Sequence, residues 1–391
     1  MSQQLINHSP DLQRLWEEGL EIEVRGAYLL MHHIPYLNSS SEIKYGVLVS
    51  TLTLAGDRTC TPDNHIAYFI GTAPCRKDGQ EMTSIINSSS TYKLTDTIEA
   101  NHLLSSKPAT GYKDYFEKMT TYANIISTPA KSIDSSVTEK TFRVIEPDTS
   151  ESVFNYFDTN SVRGKIDAIS FKLSTLKVAI IGLGGTGSYI LDLVAKTPVQ
   201  EIHLYDGDVF AQHNAFRAPG APTVENLRDR IKKTEYFQKI YSNMHRYIIP
   251  HGSYIDDTNL EELSDMNFVF ISLDRGSSKK LIVDFLEEKN IPFIDVGMGV
   301  HRVEDELLGV LRITSSTEKK RNHLKKRVTF TEGVENEYGS NIQIADLNAL
   351  NATLAVIKWK KLFGFYQDFE NENNTTYTIN VNMLLSEDHE A

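Results

Sequence analysis

Residues 176–187 read LKVAIIGLGGTG, and this stretch decides the fold of the C-terminal part of the chain. The apolar run before the first glycine is typical of a buried parallel strand. A helical pattern starts at Ser188, and the glycines between strand and helix are Gly182, Gly184, Gly185 and Gly187. A strand, a glycine turn and a helix in this order suit a nucleotide phosphate, because backbone N–H groups at a helix N-terminus bind anions. The alternative is a glycine turn that only packs the helix on the strand.

Strands and helices alternate after this turn. The segments at 201–206, 267–274 and 292–297 are predicted strands, whereas 226–244 and 277–290 are predicted helices. Alternation of this length implies right-handed βαβ crossovers. We therefore expect a doubly wound α/β sheet of Rossmann type.

The N-terminal part of the chain has a different pattern. Short segments between 19 and 75 are rich in β-branched and aromatic residues and predict a sheet. Residues 112–127 place four apolar side chains on one helical face, namely Tyr115, Met119, Tyr122 and Ile126. The stretch 128–141 is rich in Ser, Thr and Pro and has no periodicity, which is typical of a connector. We expect a smaller α+β domain at residues 1–140 and a nucleotide-binding domain at 141–391.

The composition excludes several classes of protein. The 391 residues are 40% hydrophobic and 24% charged, so global disorder and a coiled-coil rod are excluded. Lys and Arg total 40 against 52 Asp and Glu, and the net charge of -12 disfavours a nucleic-acid partner. No apolar stretch approaches the roughly 20 residues of a membrane helix, and the N-terminus lacks a secretory pattern. We expect a cytoplasmic protein with no membrane partner.

Polar residues follow the second predicted strand. Asp206 comes 19 residues after Gly187, where a carboxylate can accept hydrogen bonds from ribose hydroxyls. The glycine turn and Asp206 alone favour NAD as the ligand. The run LYDGDVFAQHNAFR continues with Asp208, Asn214 and Arg217, and beyond it lie Lys233 and Asp274.

Together with GLGGTG, these residues resemble the pattern of the ThiF and MoeB adenylyltransferases and of the nucleotide-binding half of ubiquitin-activating enzymes. The resemblance covers roughly residues 161–363. It implies ATP and magnesium as cofactors, with Asp206 on the ribose and Asp274 on magnesium. It also implies phosphate contacts from Asn214, Arg217 and Lys233.

Several alternatives stay open at single positions. Lys232 could replace Lys233, Asp208 could cap a loop rather than bind the nucleotide, and each charged residue could be solvated surface. The resemblance also implies a homodimer in which Arg163 reaches the phosphates of the partner chain. An ordinary surface arginine is the alternative for Arg163.

The cysteine content limits which features of the resembling families this chain can have. Only Cys60 and Cys75 are present, which excludes a disulfide framework and a four-cysteine zinc site, so zinc is not expected. Ubiquitin-activating enzymes form a thioester on a cysteine after the sheet, yet residues 297–339 contain none. A thioester would need Cys60, Cys75 or a partner protein.

The phrases IPYLN, GVLVSTLTLAGD and DNHIAYFIGTAPC resemble a bacterial group of two-part ThiF proteins with an uncharacterised N-terminal domain. Genes of that group lie beside those of ubiquitin-like modifiers and conjugating-enzyme-like proteins. The resemblance implies activation of the C-terminal carboxylate of a ubiquitin-like protein, with a conjugating-enzyme-like protein as a further partner. It also implies that the N-terminal domain binds the modifier or another partner protein. The alternatives are a non-catalytic nucleotide-binding scaffold and an NAD-dependent oxidoreductase.

Overall fold

The chain divides into two compact units, Met1–Ile145 and Glu146–Ala391. The structure is a computed structural model that describes residues 2–144, 152–273, 276–330 and 342–390. Each unit has a hydrophobic core of its own. Across the described ranges, no helix is both long and apolar enough to cross a membrane.

The N-terminal unit is built on a six-stranded antiparallel sheet with the order β1-β2-β3-β6-β8-β7. Its strands are β1 (Ile22–Arg25), β2 (Tyr28–Leu37), β3 (Ile43–Thr51), β6 (Ile66–Ile70), β7 (Ile86–Lys93) and β8 (Glu99–Ser105), and a separate ribbon consists of β4 (Leu54–Ala55) and β5 (Arg58–Thr59). The helices are α1 (Ser2–His8), α2 (Pro10–Glu17) and α3 (Tyr115–Lys131).

Helix α3 packs against β2 and supplies much of this core. Asp114 caps its N-terminus by accepting a hydrogen bond from the backbone N–H of Glu117. The four apolar side chains that predicted this helix are completely buried: Tyr115, Met119, Tyr122 and Ile126. The sheet and the helix are therefore present as predicted. The sheet also contains β7 and β8, which were not predicted, and α3 extends to Lys131, into the stretch predicted as a connector.

The C-terminal unit contains an eight-stranded mixed sheet. Its strands are β9 (Lys177–Ile181), β10 (Glu201–Tyr205), β11 (Ile248–His251), β12 (Phe268–Ile271), β13 (Phe293–Val303), β14 (Glu306–Ser316), β15 (Asn374–Thr378) and β16 (Met383–Glu387). Its helices are α4 (Thr159–Arg163), α5 (Asp167–Ser170), α6 (Gly185–Val194), α7 (Gln212–Ala215), α8 (Val224–Asp229), α9 (Lys233–Tyr241), α10 (Gly276–Glu288), α11 (Leu324–Arg327) and α12 (Ala345–Leu362). Single 3₁₀ turns lie at Phe171–Leu173, Leu260–Asp265 and Ile379–Val381.

The strand order is β11-β10-β9-β12-β13-β14-β15-β16. The first five strands in this order are parallel, and the last three pair antiparallel. The predicted doubly wound α/β fold is confirmed, and it contains one parallel strand, β11, and two antiparallel strands, β14 and β15, that were not predicted. Strand β9 lies in the middle, between β10 and β12, so the direction of winding reverses at its carboxyl end.

The single helix predicted over 226–244 was wrong, because the structure contains two helices, α8 and α9. Arg230 between them adopts a left-handed backbone with φ 47° and ψ 42°. The backbone N–H of Phe210 donates to the carbonyl of Ile231 at 2.8 Å, and Val209 pairs with Lys232. This pairing withdraws residues 231–232 from any helix, so that α9 begins at Lys233.

Candidate functional site

A cavity of about 420 Å³ lies at the carboxyl ends of β9, β10 and β12. Its walls include Ile181, Tyr205 and Ser272, which end or directly follow these strands. The winding of the sheet reverses at this place, and ligands of open α/β sheets bind at such a reversal. The cavity is therefore the first candidate for the functional site.

The glycine turn between β9 and α6 forms one wall of this cavity. Gly182 has φ +89°, and a Cβ added there would lie 2.2 Å from the carbonyl oxygen of Ser272. A Cβ on Gly187 would lie 1.9 Å from the carbonyl oxygen of Gly182, so neither position admits a side chain. Gly184 caps α6, faces open space and, with Gly185, lines the cavity. The first turn of α6 thus brings N–H groups that have no partner within the helix to the cavity wall.

Asp206 holds the turn and the next loop together. Only 6% of this residue is exposed. Its Oδ2 accepts a hydrogen bond from the N–H of Leu183 at 2.7 Å, and its Oδ1 accepts from the N–H of Asp208 at 2.8 Å. The ammonium of Lys233 also donates to both oxygens, at 3.3 and 3.4 Å, and these are the longest of the hydrogen bonds to Asp206. A ligand hydroxyl that binds Asp206 would take the place of one of these long contacts.

Lys233 is buried at the start of α9 and faces two carboxylates. Its Nζ lies 2.7 Å from Asp208 Oδ2 and 3.3 Å from Asp206 Oδ2. Tyr254 donates its hydroxyl hydrogen to Asp208 Oδ1. The neighbouring Lys232 donates to the carbonyl of Gly207 instead. Because α9 begins at Lys233, its ammonium rather than that of Lys232 lies among the carboxylates.

Arg217 also lines the cavity, and its Nε is buried with no hydrogen-bond partner among the described residues. Asn348 on α12 fixes the nearby backbone: its Nδ2 donates to the carbonyl of Arg217 at 3.3 Å, and its Oδ1 accepts from Thr186 Oγ1 at 3.0 Å. Gln343 Oε1 and Asn351 Oδ1 lie in the same lining and are likewise without partners within the described ranges. Buried polar atoms of this kind are costly unless a ligand or water satisfies them.

A buried ion cluster supports the opposite wall at Gly297. The carboxylate of Asp295 is completely buried and lies 2.8 Å from Lys279 Nζ and 2.5 Å from Arg312 Nη2. A Cβ on Gly297 would lie 2.7 Å from that same Arg312 nitrogen. Two cations share one carboxylate here, which leaves a net positive charge beneath the cavity wall.

Burial raises the pKa of Tyr205, so its hydroxyl remains protonated at neutral pH. The ring of Tyr205 stacks on His251 with 4.2 Å between centroids. Burial also lowers the pKa of His251, which favours the neutral imidazole. Tyr205 therefore contributes a neutral phenol to the cavity lining, and the imidazole stacked behind it lies 3.2 Å from the carboxylate of Glu262.

Not every predicted site residue reaches the cavity. Asn214 Oδ1 accepts from the N–H of Ala211 at 2.8 Å, so this side chain caps α7 and is absent from the described lining. Arg163 is exposed at the end of α4 and is also absent from that lining. Asp274 lies outside the described residues.

Tyr254, Gln343, Asn348 and Asn351 were not predicted from the sequence. Two of them carried a usable signal, because Asn348 and Asn351 are polar residues three apart in a largely apolar stretch with helical spacing. Both are completely buried in α12, and Asn351 Nδ2 donates to the carbonyl of Gly297 at 3.1 Å.

A comparison with protein families identifies the C-terminal unit. The model of the ThiF family matches residues 164–377, which is more than half of the chain. The chain belongs to the ThiF family. A second model, described as a domain of unknown function, DUF6791, matches residues 10–159. A search of curated proteins gives no match.

Several solved structures are similar to this ThiF protein. E. coli MccB with ATP is 15% identical, with 78% of this chain and 96% of that chain covered and a TM-score of 0.47. E. coli MccB with succinimide is 17% identical, with 60% and 72% covered and a TM-score of 0.46. PaaA is 16% identical, with 74% and 93% covered and a TM-score of 0.46.

Membership of the ThiF family makes this chain an ATP-dependent adenylyltransferase of the kind that includes ubiquitin-activating enzymes. Within the described ranges, no group of three or more His, Cys, Asp and Glu side chains is arranged to hold a metal ion.

Proposed function

We propose that this ThiF protein uses ATP to adenylate the C-terminal carboxylate of a ubiquitin-like protein in a bacterial ubiquitin-like conjugation pathway. The observation that carries the proposal is the buried, unpartnered Nε of Arg217 in the same cavity as Lys233 and the N-terminus of α6. Arg217 and the N-terminus of α6 are two sources of positive charge that suit phosphate groups. Lys233, which is paired with Asp206 and Asp208 in this structure, becomes a third when a phosphate oxygen displaces Asp208.

The reaction needs no nucleophile from the enzyme. A carboxylate oxygen of the modifier attacks the α-phosphorus of ATP, and a new oxygen–phosphorus bond forms. The bond to the bridging oxygen breaks, and pyrophosphate leaves with its electron pair. The enzyme has to align the two reactants and neutralise the developing charge, which is work for oriented cations and N–H groups.

We assign each role to this chain's own residues. Arg217, Lys233 and the N–H groups at the start of α6 bind phosphates, while Asp206 accepts from the ribose. Lys233 Nζ is 2.7 Å from Asp208 in the described structure. The ammonium therefore exchanges Asp208 for a phosphate oxygen when ATP binds, and Asp208 stays beside the nucleotide. Asn214 acts indirectly, because its carbonyl accepts from the N–H of Arg217 at 3.1 Å.

Magnesium accompanies ATP in this proposal and supplies charge neutralisation on the phosphates when bound. Its proposed ligand is Asp274, which follows the last residue of β12, Ile271, by three positions in the sequence. A carboxylate that follows a parallel strand belongs to the ligand side of such a sheet. Oxygen ligands are what magnesium prefers.

The proposed assembly is a homodimer in which Arg163 acts on the phosphates held by the partner chain. Arg163 is exposed at the C-terminal end of α4, which suits a residue that acts across an interface. The N-terminal domain is proposed to bind the modifier or a conjugating-enzyme-like protein.

Of the two cysteines, Cys60 is the better acceptor for a thioester. Cys75 is buried, its Sγ donates to the carbonyl of Ala73 at 3.2 Å, and burial raises the pKa of its thiol. Cys60 is only half-buried. The thiolate is the reactive form, so a buried thiol of raised pKa is a poor acceptor.

Exchange of radiolabelled pyrophosphate into ATP tests this proposal. The full chain is incubated with ATP, magnesium and a candidate ubiquitin-like protein, and the matched control is the same modifier without its last residue. We expect exchange with the intact modifier alone. ATP binding without exchange with any modifier would favour a scaffold, and a nicotinamide absorbance change with substrate would favour an oxidoreductase.

A further inference from the structure

A second cavity, of about 400 Å³, lies in the C-terminal unit at the amino ends of the parallel strands. Thr197 and Pro198, which precede β10, line it together with Met244, which precedes β11. The adenylation cavity lies at the carboxyl ends of the same strands, so the two cavities occupy opposite edges of one sheet. None of the proposed adenylation residues within the described ranges lines this second cavity.

Lys360 is the distinctive residue of the second cavity. The structure describes no hydrogen bond and no ion pair for its ammonium, which lies 4.4 Å from the ring centroid of Phe365 and 5.8 Å from that of Tyr366. An aromatic face offsets only part of the cost of burying an ammonium. Lys360 is half-buried, so its ammonium is available to a carboxylate that enters the cavity.

The other charged groups of the lining already have partners. Lys196 Nζ lies 2.7 Å from both carboxylate oxygens of Asp192. Asp158 accepts from the N–H of Ser161 at 3.0 Å and from its hydroxyl at 2.6 Å. Among the described side chains of the lining, Lys360 is therefore the cation without an ion pair, and Asp158 is a carboxylate that is hydrogen-bonded only to the neutral donors of Ser161.

Aromatic and aliphatic side chains form much of the remaining wall. Phe154, Phe157 and Phe365 contribute rings, and Ile166 and Met244 contribute aliphatic surface. Burial of an apolar body against rings of this kind is favourable, and ring-on-ring packing adds to it. A ligand for this wall has an apolar body of the size of one or two rings.

We propose that the second cavity binds a small organic monoanion with a ring-sized apolar body, whose carboxylate lies on the ammonium of Lys360. A triphosphate is a poor occupant, because a single cation beside the carboxylate of Asp158 cannot neutralise several negative charges. Burial lowers the pKa of Lys360, and a bound carboxylate would raise it again. Binding is accordingly strongest below the pKa of that ammonium.

The probe is 2-naphthoate, and its uncharged counterpart is 2-naphthamide. Both are titrated into the full chain by isothermal calorimetry near neutral pH. We expect one saturable site for naphthoate and binding of the amide at least tenfold weaker, because the amide lacks the charge-assisted contact. Equal binding of the two probes, or no binding of naphthoate, would overturn the proposal.

Variants locate the bound probe. Lys360→Met should weaken naphthoate at least tenfold, whereas Lys360→Arg should retain it. Lys280→Met is the matched control, because it removes one positive charge from an exposed pair with Asp284 and should leave binding unchanged. Thermal unfolding verifies that each variant is folded. If Lys360→Met does not fold, the comparison of the two probes on the wild-type chain still decides the outcome.

Competition separates this site from the adenylation site. A non-hydrolysable ATP analogue at saturation should leave the affinity for naphthoate unchanged within about twofold. Loss of naphthoate binding in the presence of the analogue, together with its loss in Arg217→Met, would place the probe in the adenylation cavity and refute the proposal. Failure of the adenylation assay would leave these binding results unaffected.

Discussion

Replacing Asp206 by alanine removes a carboxylate that is bound on both oxygens. Leu183 N–H and Asp208 N–H donate to it at 2.7 and 2.8 Å, and Lys233 Nζ lies 3.3 Å away. The first of these N–H groups belongs to the glycine turn and the second to the loop after β10. The substitution therefore loosens the two segments that form the nucleotide wall.

The magnitude follows from the count of lost acceptors. The N–H of Leu183 is buried, and leaving it without an acceptor costs about 1–3 kcal/mol. The N–H of Asp208 belongs to an exposed residue, and loss of its hydrogen bond adds about 0.5–1.5 kcal/mol. The ammonium of Lys233 still has Asp208 at 2.7 Å, so its contribution is taken as zero. We expect the free energy of unfolding of the C-terminal unit to fall by about 1.5–4.5 kcal/mol in Asp206→Ala. In Asp206→Asn one acceptor oxygen remains, and the loss should be about half as large.

Two measurements check this expectation. Hydrogen exchange followed by mass spectrometry reports the C-terminal unit separately, and peptides that contain Leu183 and Asp208 should exchange faster in Asp206→Ala. Calorimetry should show ATP affinity lowered by about 1–3 kcal/mol, or roughly 5- to 150-fold, because the ribose loses an acceptor.

Asp208→Ala is the matched control for Asp206→Ala. This substitution removes a partner of both Lys233 and Tyr254 but leaves the hydrogen bond from the N–H of Leu183 to Asp206 in place, so exchange at Leu183 should stay at the wild-type rate. Wild-type exchange at Leu183 in Asp206→Ala would refute the structural reasoning. Unchanged ATP affinity in the same variant would refute the ribose role.

Three further predictions concern other residues. Asp274→Ala should abolish magnesium-dependent pyrophosphate exchange and leave the circular dichroism spectrum unchanged; full activity would remove the metal assignment. Arg163→Ala and Arg217→Ala should each be nearly inactive alone, yet a mixture of the two should recover about a quarter of wild-type exchange. Random pairing makes about half of the dimers mixed, and each mixed dimer has one complete site of two. No recovery after verified subunit exchange would refute the role of Arg163 across the interface. Burial lowers the pKa of His245 to about 4 in the folded chain, below its unfolded value of about 6.5. The unfolded chain therefore takes up a proton at a higher pH than the folded chain. The contribution of the neutral imidazole to the free energy of unfolding is complete above about pH 6.5 and is lost as the pH falls towards 4. Urea unfolding should show that the contribution of His245 to the free energy of unfolding is about 3 kcal/mol smaller at pH 4 than at pH 7. A His245→Gln variant whose free energy of unfolding has the same pH dependence as that of the wild type would contradict this origin.

Four of the five parallel strands were predictable because each is a short, mainly apolar segment followed by turn residues. Strand β11 was not predicted, because its sequence IIPH contains a proline and is only four residues long. Strand β14 was missed although it alternates: Leu311 and Ile313 are buried, whereas Val310 is exposed. The signal was present, but strand β13 continues into β14 through a tight turn, and the sequence gives no helix there to mark the boundary. An antiparallel hairpin at the end of a parallel sheet is difficult to recognise from periodicity alone.

The break between α8 and α9 could not be predicted from local pattern. It depends on the pairing of residues 231–232 with residues 209–210, about twenty positions earlier in the chain. Tertiary pairing of this kind overrides helix propensity. The same pairing decides which of two adjacent lysines joins Asp206, and the sequence alone left Lys232 and Lys233 open.

Helix α12 fixes the spacing and relative direction of Asn351 and Lys358, and an insertion of one residue between them would change both. Asn351 donates to the carbonyl of Gly297 in the cavity lining, and Lys358, seven residues later, pairs with Asp368 at 2.9 Å. Seven residues are close to two full turns, so both side chains leave the helix in similar directions. One inserted residue between them would turn one end by about 100° and shift it by about 1.5 Å, whereas seven inserted residues would restore the direction. Natural length variation in this protein should therefore avoid α12 and occur in its loops.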